Sequence, residues 1–234
     1  MNIPTYDPIY LIVTGIAMLI SHLVGAQMKR KFEKYSQVPL PATGAEIAER
    51  MLHDYSIDGV QILPAQGMLT DHYNPSDRTV NLSEVVYASN SVAAAAVAAH
   101  ECGHAVQHAV HYPMLALRSN LVPVVQFGSR LAPMVLAVGL GLAYAGHNLI
   151  VLLAGIVLFA ASTLFAFITL PVEFDASRRA LEWLDHSGAA TGLSHQQAKD
   201  ALFWAAMTYV VAALASLGQL LYYIMLFMRA RDRR

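Results

Sequence analysis

Four long stretches of this chain carry almost no charge, and they limit the folds open to it more than any other feature. Residues 8–28 read PIYLIVTGIAMLISHLVGAQM, close to the roughly 20 apolar residues that a helix needs to cross the hydrocarbon core of a bilayer. A cleaved leader would carry its basic residues before the apolar run. Here Lys29, Arg30, Lys31 and Lys34 follow it, so a retained anchor is expected. A second apolar region, residues 131–170, is long enough for two spans and is interrupted at Gly146-His147-Asn148. A Gly beside two polar residues is a turn signal, so the spacing predicts a helical hairpin over 121–170, with arms at 121–145 and 148–170. The last stretch, 205–228, is uncharged and runs into Arg229, Arg231, Arg233 and Arg234.

Composition agrees with this reading. Charged residues are 13% of the chain and hydrophobic ones 56%, against roughly 25% charged in a soluble domain. The net charge of -1, from 15 basic and 16 acidic residues, argues against a nucleic-acid binder and against a disordered acidic tail. A single cysteine excludes an intramolecular disulfide. The expected fold is mainly α, a multi-span helical membrane protein with two polar portions, 29–120 and 171–204, between its apolar segments.

The larger polar portion is patterned like a folded α+β unit. Thr43-Gly44-Ala45-Glu46 matches a capping box, and Ile47, Met51 and Tyr55 recur at helical spacing after it. Val60, Ile62 and Met68-Leu69-Thr70 suggest short strands. The turn formers at 74–78, followed by alternation at Thr79-Val80-Asn81-Leu82, predict a hairpin. Ser89-Asn90-Ser91 offers caps for an alanine-rich helix starting near Val92.

That helix carries His100-Glu101-Cys102-Gly103-His104, an H-E-x-x-H motif. Residues i and i+4 share a helix face, so His100 and His104 can offer two imidazoles to one Zn²⁺, while Glu101 can reach a water there as general base. A catalytic zinc takes a third protein ligand and keeps one position open. The pattern that continues to a third histidine fails, because Gln107 and Val110 occupy its glycine and histidine positions; His108 and His111 lie farther along the helix. The best-placed remaining donor is Glu173, in Leu170-Pro171-Val172-Glu173-Phe174-Asp175, where Pro171 is expected to end one helix and start the next. Asp175 is a candidate to orient a ligand histidine. His72, Tyr73, Arg178 and Arg179 are candidates for contacting substrate or a developing oxyanion, and the strand at 80–82 for pairing with an extended peptide. Cys102 faces away from the two histidines and reads as packing.

The stretches Leu69 to Pro75, Asn81 to Tyr87, Ser91 to Ala105 and Pro171 to Ser177 together resemble the YugP-like neutral zinc metallopeptidases of bacterial membranes, over nearly the whole chain. They are more distantly similar to the HtpX and CAAX prenyl protease group, in which a later Glu, in a pattern close to E-x-x-A-D, completes the zinc site. The resemblance implies one catalytic Zn²⁺ held by His100, His104 and Glu173, with Glu101 as general base, in a small zincin-like catalytic portion. Ser177 departs from the terminal Asp of that pattern. The implied activity is zinc-dependent endoproteolysis of membrane or membrane-proximal proteins, at the bacterial inner (plasma) membrane. Two competing readings are an intramembrane site-2-type protease, whose L-D-G motif is not matched by Leu184-Asp185-His186, and a non-catalytic zinc-binding scaffold.

Topology offers an independent constraint. His104 and Glu173 can meet only if the chain between them crosses the bilayer an even number of times, and the predicted hairpin supplies two crossings. Placing 29–120 and 171–204 in the cytoplasm puts ten Lys and Arg residues inside, in accord with the positive-inside rule, although the C-terminal arginines then lie outside.

Overall fold

Long apolar segments can bury their backbone polar groups only by forming helices, and the computed structural model, which describes residues 7–146 and 148–232, is mainly helical. The elements are α1 (Pro8–Ser36), α2 (Gly44–Asp54), β1 (Gln61–Ala65), β2 (His72–Asn74), β3 (Thr79–Ser83), α3 (Glu84–Tyr87), α4 (Val92–Ala109), α5 (Pro113–Tyr144), α6 (Ile150–His186) and α7 (Gly192–Arg231). Helices α1, α5, α6 and α7 are long and apolar enough to cross a membrane. The chain divides into two compact units, one of residues up to 23, 117–169 and from 209 onward, the other of 24–116 and 170–208.

The first unit holds the apolar parts of the four long helices. Between α5 and α6 the contact is at backbone distance: a Cβ added to Gly139 would lie 2.5 Å from the Cα of Leu152. Close approach through small residues is how helices pack where lipid removes the hydrophobic drive. Leu136, Leu152 and Ile156 are buried along this seam, while Leu19, Phe127, Ile150 and Leu164 are exposed. Gly146, with φ of 78°, ends the α5 arm. Asn148 Oδ1 accepts from the Ile150 N–H at 2.9 Å to start the next; His147 lies outside the described residues.

The second unit holds the α+β portion. Thr43 and Glu46 form the predicted reciprocal cap of α2, and Ile47, Ala48, Met51 and Leu52 are buried in a core shared with α4. Ser91 caps α4, its hydroxyl accepting from the Ala94 N–H. The alanines at 93–96, 98 and 99 are at most 1% exposed; small side chains let neighbours surround this helix closely. The sheet has the order β1-β3-β2, with β1 parallel and β2 antiparallel to β3.

Four expectations change. Strand β3 is central, hydrogen-bonded on both sides, so it has no free edge to offer a peptide. Residues 68–70 form no strand, Leu69 adopting φ of 58°. Helix α4 ends at Ala109, and His111, with φ of 53°, lies beyond it. Pro171 ends nothing: α6 runs through it without a break. A proline inside a helix forfeits one backbone bond, but Val172 and Ala176, both fully buried, hold the following turns against the core.

Candidate metal centre

The approach of α4 to α6 builds the site. A Cβ on Gly103 would lie 2.5 Å from the Ala176 carbonyl oxygen, so glycine at this position allows the two helices to touch backbone to backbone. One turn of α4 brings His100 and His104 to the same face, and Glu173 of α6 enters opposite them. One ligand atom from each of the three lies within 4.8 Å of the other two. Oε2 of Glu173 is 3.3 Å from Nε2 of His100 and 3.7 Å from Nε2 of His104. Both distances exceed an ordinary charge-assisted hydrogen bond. They approach the edges of a tetrahedron around zinc, about 3.3 Å for bonds of about 2.0–2.1 Å.

The rear nitrogens of the two imidazoles decide whether the front ones can ligate. Gln107 is fully buried. Its Nε2 donates to the Val172 carbonyl at 2.8 Å and to Asp175 Oδ2 at 2.9 Å. A flipped amide would set oxygen against two acceptors, so the Gln107 Oε1 faces Nδ1 of His104 at 3.0 Å and must accept its proton. In its neutral form His104 then carries its lone pair on Nε2, on the side of Glu173. His100 is held similarly, its Nδ1 lying 3.1 Å from Ser177 Oγ. Two imidazoles and one carboxylate, with a hydrogen-bond partner behind each ring, are a donor set that suits zinc.

Asp175 thus acts on His104 only through Gln107. Arg179 Nε donates to the same Oδ2 at 2.6 Å, and Arg178 anchors the other oxygen, Oδ1. Burial alone would push the Asp175 carboxyl up, but Arg179, Gln107 and Arg178 outweigh it and hold it below the ordinary range. For Glu173, 2% exposed, burial is likewise overcome by His100 and His104, and the carboxyl is held well below its usual value. Burial lowers the His104 pKa, but Glu173, Glu101 and Gln107 raise it further, so the net direction is upward.

Glu101, 8% exposed, is hydrogen-bonded by β2: the Tyr73 N–H donates to its Oε2 at 3.0 Å. The Tyr73 hydroxyl lies 2.8 Å from Nδ1 of His108. The other candidates are engaged elsewhere. The exposed His72 ring contacts the Thr70 carbonyl through Nδ1, and Arg178 pairs with Glu182 at 2.9 Å as well as with Asp175. Cys102 is buried with Sγ 3.6 Å from the Ala48 carbonyl, and burial pushes its thiol pKa up, as expected of a packing residue.

Gln107 and Ser177 are the residues that sequence reasoning missed in these roles. Ser177 occurs where a distant relative's pattern has Asp, and Gln107 was visible only as a failed glycine position. Gln107→Leu is expected to lower zinc affinity by about 10–100-fold, the usual cost of losing an outer hydrogen bond to a ligand histidine, with helical content unchanged. Competition with a chromogenic chelator measures it, and wild-type affinity would show that the Gln107 bond does not support the ligand.

The chain matches the family described as "Putative neutral zinc metallopeptidase" over residues 10–228. It is 42% identical over 226 residues to "Putative membrane protease YugP" of Bacillus subtilis (strain 168), covering 96% of this chain and 99% of that relative. No solved structure matches the chain. By its match along most of its length, and with its His and Glu donors gathered at one point, the chain belongs to the neutral zinc metallopeptidase family.

Proposed function

We propose that the protein is a membrane-embedded, zinc-dependent endopeptidase in which His100, His104 and Glu173 hold one catalytic ion and Glu101 is the general base, an arrangement of the gluzincin type. The observation that carries this reading is the convergence of three donor atoms beside a separately held carboxylate. Zinc bound there would supply Lewis acidity, activating a water and polarising the scissile carbonyl. Glu101 would take the proton from the attacking water and pass it to the leaving amine. Gln107 and Ser177 keep the imidazoles oriented, and the low exposure of Glu101 and Glu173 limits access of bulk water.

Tethering to the bilayer favours membrane proteins or membrane-proximal peptides as substrates. A cavity of about 450 Å³ in the second unit, with Ser177 at its wall and Phe174, Leu181, Leu202 and Phe203 along it, gives an apolar side chain room beside the site. An intramembrane protease is less well supported, since α4 is not among the four helices apolar enough to cross a bilayer. A purely structural zinc site has no use for Glu101. Metal analysis of the purified protein, with cleavage of a casein-type substrate by it and by the Glu101→Gln variant, tests the reading; absence of bound zinc in the active wild type would overturn it.

The charge distribution favours a site facing the cytoplasm of a bacterial inner membrane. An impermeant maleimide is expected to label Ser76→Cys, exposed in the turn after β2, only after permeabilisation, in a Cys102→Ala background. Labelling of intact cells would reverse the orientation.

A further inference from the structure

A general base on a helix surface needs its carboxylate aimed, and a glutamate has three side-chain torsions to fix. We infer that Tyr73 is a positioning residue for Glu101 and that His108 locks it in place; this rests on the reading of Glu101 as general base. Strand β2 is only three residues long and lies at the sheet edge, paired to β3 alone. A strand that short is weakly fixed by its ladder. In the register His72↔Asn81, Tyr73↔Val80, Asn74↔Thr79, alternate residues turn their N–H groups away from the partner strand. Tyr73 is one of these, and its N–H meets Oε2 of Glu101 at 3.0 Å.

The other end of the same residue is fastened to the same helix. Its hydroxyl is 2.8 Å from Nδ1 of His108, with the two rings 5.9 Å apart between centroids. Glu101 and His108 are seven residues apart on α4, about 10 Å along its axis. Tyr73 therefore lies along the helix, with its backbone on the base and its phenol on a histidine two turns away. Burial pushes the Tyr73 phenol up, so it stays a neutral hydrogen-bonding group. The strut commits Oε2 of Glu101 to a backbone donor and leaves Oε1 as the oxygen that can take a proton. His108, which the sequence presents as a spare histidine near a metal motif, has this supporting role rather than ligation.

The test uses the purified full-length protein with bound zinc. Tyr73→Phe and His108→Leu are each expected to lower kcat by about ten- to a hundredfold, the scale of a small misplacement of a catalytic group, with KM and zinc content unchanged. The double variant should be no worse than either single one. His108→Asn, which keeps an acceptor near the Nδ1 position, should recover most of the loss. Hydrogen exchange in the 72–74 segment should rise in Tyr73→Phe and His108→Leu while α4 stays protected. Wild-type kcat in Tyr73→Phe, additive losses in the double variant, or unchanged exchange would overturn the strut. Glu101→Gln in the same assay separates the two readings: if it cleaves normally, the general-base assignment fails, whereas if it is inactive and Tyr73→Phe is not, only the strut fails.

Discussion

Glu101→Gln is expected to retain its zinc and lose cleavage by about 10²–10⁴-fold in kcat, the usual contribution of a positioned base. That corresponds to about 3–5 kcal/mol of barrier at 1.36 kcal/mol per tenfold. The substitution is nearly isosteric, and the amide oxygen of Gln can still accept the Tyr73 N–H that Oε2 of Glu101 accepts now. The side chain therefore keeps its place and loses only its basicity. His100, His104 and Glu173 are untouched, so metal content should be that of the wild type. Kinetic assay beside elemental analysis checks both halves; cleavage at the wild-type rate would remove Glu101 from the chemistry.

The second large effect concerns Glu173. In Glu173→Ala two imidazoles remain, short of the three protein ligands of a catalytic zinc site. Zinc affinity should fall by more than the roughly 100-fold that an outer-shell loss can cost. The fold should survive, because the change removes a buried charge rather than an apolar anchor. Glu173 is also among the causes of the raised pKa of His104. Zinc needs the neutral imidazole, so in the wild type protons compete with metal as pH falls through that raised value, which lies above 6.5. The same midpoint should move down in Glu173→Gln. Zinc titration against a competing chelator at several pH values reads both effects. Stoichiometric, tightly bound zinc in Glu173→Ala would return the search for a third ligand to His108 or Asp175.

Much of the site was legible because it is local. H-E-x-x-H places two imidazoles one turn apart on any straight helix, and the Ser91 cap and alanine run make α4 a helix before any tertiary contact is considered. The capping box of α2 and the turn before β3 are local in the same way, each depending on residues within four positions. Pro171 misled because its local preference to interrupt a helix competes with packing, and the buried turn around Val172 and Ala176 prevailed. Strand β3 misled because alternation along a strand reports its faces and not its edges. The hairpin partner β2 covers one edge, and whether the other is free depends on β1, which lies outside the hairpin.

The same distinction separates the contributions of sequence and fold. Length and hydropathy alone determine four helices able to cross a membrane, since a bilayer leaves a 20-residue apolar segment few other ways to satisfy its backbone. The motif alone determines two histidines and a nearby carboxylate. Only the tertiary structure decides that Gln107 of α4 mediates between Asp175 of α6 and His104, that Ser177 supports His100, and that Tyr73 reaches Glu101. The pairings between α4 and α6 depend on the two helices meeting at Gly103 and Ala176, and that of Tyr73 on β2 lying against α4. Residues some 70 positions apart become hydrogen-bonded neighbours through close packing, which no periodicity along the chain records.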